Sequence, residues 1–154
     1  ELYREAMQKA EQQGFHSVDR FRLIRGGTYE LLHRATAALV TSGTATLETA
    51  LFGVPQIVCY YIPLGPVIRL ARRLFLKVPY ISLVNLVCGR EVVPELVASD
   101  MNAARLTPAL RSILPGGEAR DAQLKGYADM RRLLGEPGAP QHAAREMVEI
   151  LHRK

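Results

Sequence analysis

The chain has 154 residues, 48% of them hydrophobic and 23% charged, which suits one compact globular domain with a core and gives no sign of disorder. No apolar run is long enough to span a bilayer, and the two cysteines, Cys59 and Cys88, sit far apart in apolar runs, as buried thiols do. A net charge of +5 and a pI near 9.5 imply attraction to something anionic, whether nucleic acid, a sugar nucleotide or a lipid surface.

In chain order, residues 1–13 read as a charged helix ended by Gly14. Residues 21–24, Phe-Arg-Leu-Ile, alternate briefly like a strand and stop at Gly26-Gly27. Thr28 can cap a helix reaching about Ala35, with Leu31 and Leu32 facing inward. Residues 37–40 read as a buried strand, followed by a Ser/Gly/Thr turn and a helix over 44–52. Gly53 stands where a helix C-terminus wants glycine, and Pro55 follows two residues later. Residues 56–61 form the clearest strand of the chain. Strand, helix, strand, helix, strand predicts an α/β fold, a parallel sheet with helices on both faces, with its ligand edge at the C-terminal ends of the strands. Both Gly26-Gly27 and Ser42-Gly43 fall at that expected edge.

Residues 63–66 read as a turn and 67–77 as a basic amphipathic helix. Residues 80–87 read as extended, and 91–96 as the start of a helical stretch with Pro94 near its first turn. Three helices close the chain, over 103–114, 118–134 and 141–152, separated by Pro/Gly breaks at 115–117 and 135–138. In the last of them Ala143, Ala144, Met147, Val148 and Leu151 keep a helical period, so it needs a surface to pack on. The four histidines and two cysteines show no ligand spacing, so no metal and no cofactor is expected.

The stretch Thr41-Ser42-Gly43-Thr44-Ala45-Thr46-Leu47-Glu48 carries the most chemistry. A strand end, a Ser/Gly/Thr turn and a helix start put backbone N–H groups, hydroxyls and the positive end of a helix dipole at one point, where phosphate binds naturally. Gly43 lets the backbone approach such a ligand. Glu48, four residues after Thr44, is not at capping-box spacing, and ribose hydroxyls are its natural partner. Ser42 or Thr44 acting only as a helix cap is the other reading of the same residues.

That stretch, with Val54-Pro55-Gln56-Ile57-Val58-Cys59-Tyr60 and Ser82-Leu83-Val84-Asn85-Leu86-Val87-Cys88-Gly89-Arg90-Glu91 followed by Val93-Pro94-Glu95-Leu96, resembles the C-terminal part of lipid A disaccharide synthase. The resemblance runs from about Phe21 to about Leu96 and continues weakly through the tail helices. It implies a two-domain glycosyltransferase fold of the B type, metal-independent. Residues 1–100 would be part of a Rossmann-like UDP-sugar domain and 101–154 a helical tail packing on it or on a partner. The implied reaction joins UDP-2,3-diacylglucosamine to 2,3-diacylglucosamine 1-phosphate with inversion, releasing UDP. By the same resemblance Ser42, Gly43 and Thr44 meet the diphosphate, Glu48 the ribose, and the backbone up to Gly26 and Gly27 the uracil. Asn85 lies in the block like the family's active-site loop, as a candidate catalytic residue, and Arg90 could pair with donor phosphate or with Glu91 or Glu95. The sequence departs from the family in having Val97-Ala98 after Glu95-Leu96, where the family usually carries Gln.

Both sugar substrates implied by the resemblance are acylated, so the enzyme would work at a membrane. Arg69, Arg72, Arg73 and Lys77 on the 67–77 helix would then face an anionic surface, peripheral on the cytoplasmic side of the inner membrane, unless they are only its solvated side. The implied partners are the acylated donor and acceptor, a missing N-terminal domain holding the acceptor and the base, that membrane surface, and a second copy in a homodimer. Nucleic acid is not expected, since 6% aromatic content and no known motif speak against it. Without an N-terminal domain, transfer by the chain alone is not expected. The rival readings are another UDP-sugar transferase or epimerase of the same fold, and a non-catalytic basic module binding nucleic acid or membrane.

Overall fold

A computed structural model describes residues 2–14, 20–41, 43–60, 80–97, 100–136 and 138–152. The expected 67–77 helix, with Arg69, Arg72, Arg73 and Lys77, lies outside the described residues, and so does Ser42. The chain divides into two units, residues 1–34 and 35–154.

In the first unit α1 (Leu2–Gln12) stops where expected: Gly14 takes φ +87° and its N–H reaches the Glu11 carbonyl at 2.9 Å. Residues 21–25 have no regular structure, and Phe21, Leu23 and Ile24 are exposed, so the expected strand does not form. An extended segment becomes a strand only when a neighbour takes its N–H and C=O groups, and no described strand does so here. Gly26 and Gly27 both adopt positive φ and lead into α2 (Thr28–Arg34), whose first turn closes from the Leu31 N–H to the Gly27 carbonyl at 3.0 Å. Leu32 is buried but Leu31 is 51% exposed. Adjacent residues stand 100° apart around a helix, so one flank takes only one of the pair.

The second unit is built on a parallel sheet ordered β1 (Ala38–Val40), β2 (Gln56–Tyr60), β3 (Glu95–Val97). Ala38 pairs with Gln56 and Val40 with Val58; Val58 pairs with Glu95 and Tyr60 with Val97. The central strand alternates cleanly. Val58 points to a core with Ala50, Val84, Val93, Tyr127 and Met130, while Ile57 and Cys59 point to the other side, against Leu96 and Ile113. The first face is covered by α3 (Gly43–Leu51), α4 (Leu83–Cys88) and α6 (Arg120–Leu134), the second by α5 (Ala103–Ile113). The expected α/β parallel sheet with helices on both faces is therefore present.

Local chemistry fixes the joints. Gly53, at φ +71°, ends α3, its N–H on the Ala50 carbonyl at 3.0 Å and the Val54 N–H on the Thr49 carbonyl at 3.1 Å, the paired bonds of a Schellman motif. Residues 83–88 are helical, not extended. Ser82 accepts from the Asn85 N–H at the start, and Gly89 closes the end at φ +62° with its N–H on the Leu86 carbonyl. Two caps on a six-residue segment override its strand-like composition. Residues 95–97 are a strand, not a helix, because the Pro94 carbonyl takes the Val58 N–H at 2.9 Å and the next residues continue that ladder.

The tail follows the expected pattern, with α5, α6 and α7 (Ala139–His152). The apolar residues of α7 stay exposed, from 51% for Val148 to 73% for Leu151. No described helix is long and apolar enough to cross a membrane.

Candidate functional site at the C-terminal edge of the sheet

The strands of a parallel sheet aim their C-terminal ends at one edge, and here β1 hands over to α3 at that edge, with β2 ending beside it. Gly43 is half-buried at the first position of α3, Thr44 is exposed, and Glu48 is half-buried a little over one turn further on. The other threonines of the motif serve the fold. Thr46 donates to the Gly43 carbonyl at 2.5 Å and Thr49 to the Ala45 carbonyl at 2.7 Å, and both are buried.

Tyr60 ends the central strand. Its hydroxyl lies 3.9 Å from where a Cβ on Gly43 would stand, so the phenol borders the turn after β1. Burial, and then the Glu95 carboxylate, push its pKa up, so it holds its proton at neutral pH. The sequence gives this residue no role beyond its place in the 54–60 block, because its relation to Gly43 spans two strands. Gly26 and Gly27 stand in the first unit at the start of α2; with no strand over 21–24, they do not follow a strand end.

Asn85 is fully buried, and every hydrogen-bonding position of its carboxamide is taken. Oδ1 accepts from the N–H of Val92 at 2.7 Å and of Val93 at 2.9 Å; Nδ2 donates to the Val93 carbonyl at 2.8 Å and to Glu95 Oε1 at 2.9 Å. Glu95 in turn accepts from the Ile81 N–H, at 2.9 Å to Oε2, and from the Ser82 N–H at 2.9 Å. In this arrangement Asn85 has no polar atom left to offer a substrate; it holds the 92–95 chain against the start of α4. Sequence reasoning picked out Asn85 but not Glu95, whose partners stand 10 to 14 residues earlier.

Arg90 pairs with neither Glu91 nor Glu95. Its Nη2 lies 2.7 Å from Asp129 Oδ2 on α6, and Arg132 bonds the other oxygen of the same carboxylate. These two guanidiniums, Arg132 first, hold the Asp129 carboxyl below its usual range.

A second carboxamide clamp supports β2. Gln123 Oε1 accepts from the Gln56 N–H at 2.7 Å, and Gln123 Nε2 donates to the Gln56 carbonyl at 3.0 Å. Both groups of residue 56 point the way those of Val58 do, toward β3, which begins only opposite Val58. A side chain thus completes the rung that β3 is too short to supply. The Tyr127 hydroxyl lies 2.7 Å from Gln123 Oε1, and burial drives its pKa up. No group of three His, Cys, Asp or Glu among the described residues is placed to hold a metal ion.

Comparison with known proteins matches residues 2–145 to the family model described as lipid-A-disaccharide synthetase. The lipid-A-disaccharide synthase of Myxococcus xanthus is 40% identical over 129 residues, covering 84% of this chain and 33% of the relative. That of Syntrophus aciditrophicus is 43% identical over 123 residues, covering 80% and 32%. A third, from Anaeromyxobacter sp. strain K, is 36% identical over 136 residues, covering 88% and 35%. The chain thus spans about a third of the length of these relatives. With nearly its whole length matched to one family model, on a parallel sheet whose C-terminal edge carries the Gly43–Glu48 helix start, the chain belongs to the lipid-A-disaccharide synthetase family.

Proposed function

We propose that this chain is the donor-nucleotide-binding part of an inverting glycosyltransferase that joins UDP-2,3-diacylglucosamine to 2,3-diacylglucosamine 1-phosphate. In that reaction an acceptor hydroxyl attacks the anomeric carbon, the bond from that carbon to the diphosphate breaks, and UDP leaves with the electron pair. The observation that carries the reading is the β1–Gly43–α3 corner at the C-terminal edge of the sheet, in a chain of this family. Ser42, Gly43 and Thr44 would meet the diphosphate and Glu48 the ribose, with Gly26 and Gly27 near the uracil, and Arg90 would leave Asp129 to pair with donor phosphate. Donors set in advance around the departing diphosphate stabilise the charge that develops on it. Asn85 enters as a positioning residue, because its carboxamide is fully spent on the 92–95 chain and its effect runs through Glu95 and α4. The acceptor and the general base would belong to a domain outside these 154 residues, as the length of the relatives suggests, and this chain alone is not expected to turn over. Arg69, Arg72, Arg73 and Lys77 would hold the protein at an anionic membrane surface.

Calorimetric titration with UDP and, separately, with single-stranded RNA tests this reading. UDP should bind weakly, and Glu48→Ala should cost about 1.5–3 kcal/mol of binding without lowering the melting temperature. Salt-sensitive RNA binding with no UDP binding would make the chain a basic nucleic-acid module instead.

A further inference from the structure

Three observations converge on Tyr60. It closes the central strand at the ligand edge of the sheet, and its side chain stands on the face of Val58 and Glu95, the face that α3 and α4 cover. Its hydroxyl reaches the turn at Gly43, where a missing side chain leaves the space beside it open. The Glu95 carboxylate, whose charge is felt at the phenol, is already engaged by Ile81, Ser82 and Asn85, and the phenol has no hydrogen-bond partner among the described residues. A protonated phenol is left facing a turn whose own contribution to a ligand would be backbone N–H groups. Donors gathered at one point call for an acceptor, and a charged one accepts most strongly.

We propose that the Tyr60 hydroxyl is a ligand contact that donates to the diphosphate of a bound nucleoside diphosphate, and so favours nucleotide over nucleoside. This rests on the nucleotide-binding reading above. The ring packs against the α3 side of the sheet while the oxygen serves the ligand, so the two roles separate chemically.

Tyr60→Phe removes that oxygen and keeps the ring. On the 154-residue chain it should weaken UDP binding about tenfold, leave uridine binding within about twofold, and leave the melting temperature unchanged. The β-phosphorus resonance of bound UDP should shift between wild type and variant, while the uracil ring protons stay in place. Equal UDP affinity in the two proteins would overturn the proposal. An equal loss for UDP and uridine, or a loss matched by a fall in melting temperature, would also overturn it, because the phenol would then serve packing. A wild-type chain that binds neither compound would remove the nucleotide reading itself, an outcome seen before any variant is made.

Discussion

The two faces of the sheet are packed by different means. Toward α5 the buried residues are Ile57, Cys59, Leu96 and Ile113, with Leu106 and Leu110 around them. Toward α3, α4 and α6 the apolar core is threaded with polar groups: the buried polar residues Thr46, Thr49, Gln56, Ser82, Asn85 and Gln123 all belong to this side. Dispersion and hydrophobic burial are tolerant of small shifts, whereas hydrogen bonds lose strength steeply with misalignment. The α5 face therefore supplies stability without fixing much. The opposite face fixes where the backbone runs, and it is the face on which Tyr60, Glu95 and the start of α3 stand.

Breaking one contact on each face separates the two contributions. Asn85→Ala strands the N–H groups of Val92 and Val93 and the Val93 carbonyl, and should cost about 3 kcal/mol. Ile113→Ala leaves a cavity on the other face and should cost a similar amount, about 3 kcal/mol. Denaturant melts give both totals, and amide hydrogen exchange distinguishes the causes. Asn85→Ala should lose protection selectively at residues 81–82 and 92–93, while Ile113→Ala loosens the unit evenly. The same exchange pattern in both variants would erase the contrast between the faces.

A smaller effect sharpens the picture of how α6 seats on the 92–93 turn. A Cβ on Gly126 would lie 2.4 Å from Val92 Cγ1, so Gly126→Ala should destabilise by about 1–3 kcal/mol. Val92→Ala removes the clashing methyl groups and should recover most of that loss in the double variant. Simple addition of the two single costs would mean that α6 moves freely over the turn.

The smallest effect is expected where α6 and the end of α4 meet at the surface. The Asp129 carboxyl is held low by Arg132 and Arg90, so its ionised form favours the folded state. That contribution is present above the carboxyl's unfolded pKa and disappears as the pH falls through its lowered folded value. Asp129→Asn should therefore flatten the acid limb of a melting-temperature profile slightly, and added salt should shrink the difference. A large loss at neutral pH would show that this exposed cluster carries more than a surface ion pair does.

What could be read in the sequence is what is written locally. Gly53 and Val54 end α3 through bonds that reach back three and five residues, and β2 is apolar at four of its five positions because both faces of the sheet are covered there. Beyond the local caps of 83–88, residues 83–88 and 95–97 depart from their expected structure through partners distant in the chain. The carboxylate that secures the start of α4 comes from Glu95, and the ladder that makes 95–97 a strand comes from β2, far back in the chain. The segment 21–24 was misread the other way, since alternation without a partner makes no strand. In the site, Gly43, Thr44 and Glu48 were visible as a contiguous motif. Tyr60 and Glu95 were not, because their roles come from neighbours that only the folded sheet assembles. Asn85 was found, but its saturation by backbone partners could not be read from its position.

The clamp of Gln123 on Gln56 has a consequence in time. Its two halves are 67 residues apart, so at a synthesis rate of about 5–20 residues per second the rung at Gln56 waits roughly 3–13 s for its partner to be made. Until then water alone can occupy the N–H and C=O of that residue. On the ribosome the central strand is thus left open at one end, and it closes only when the helix that carries Gln123 arrives.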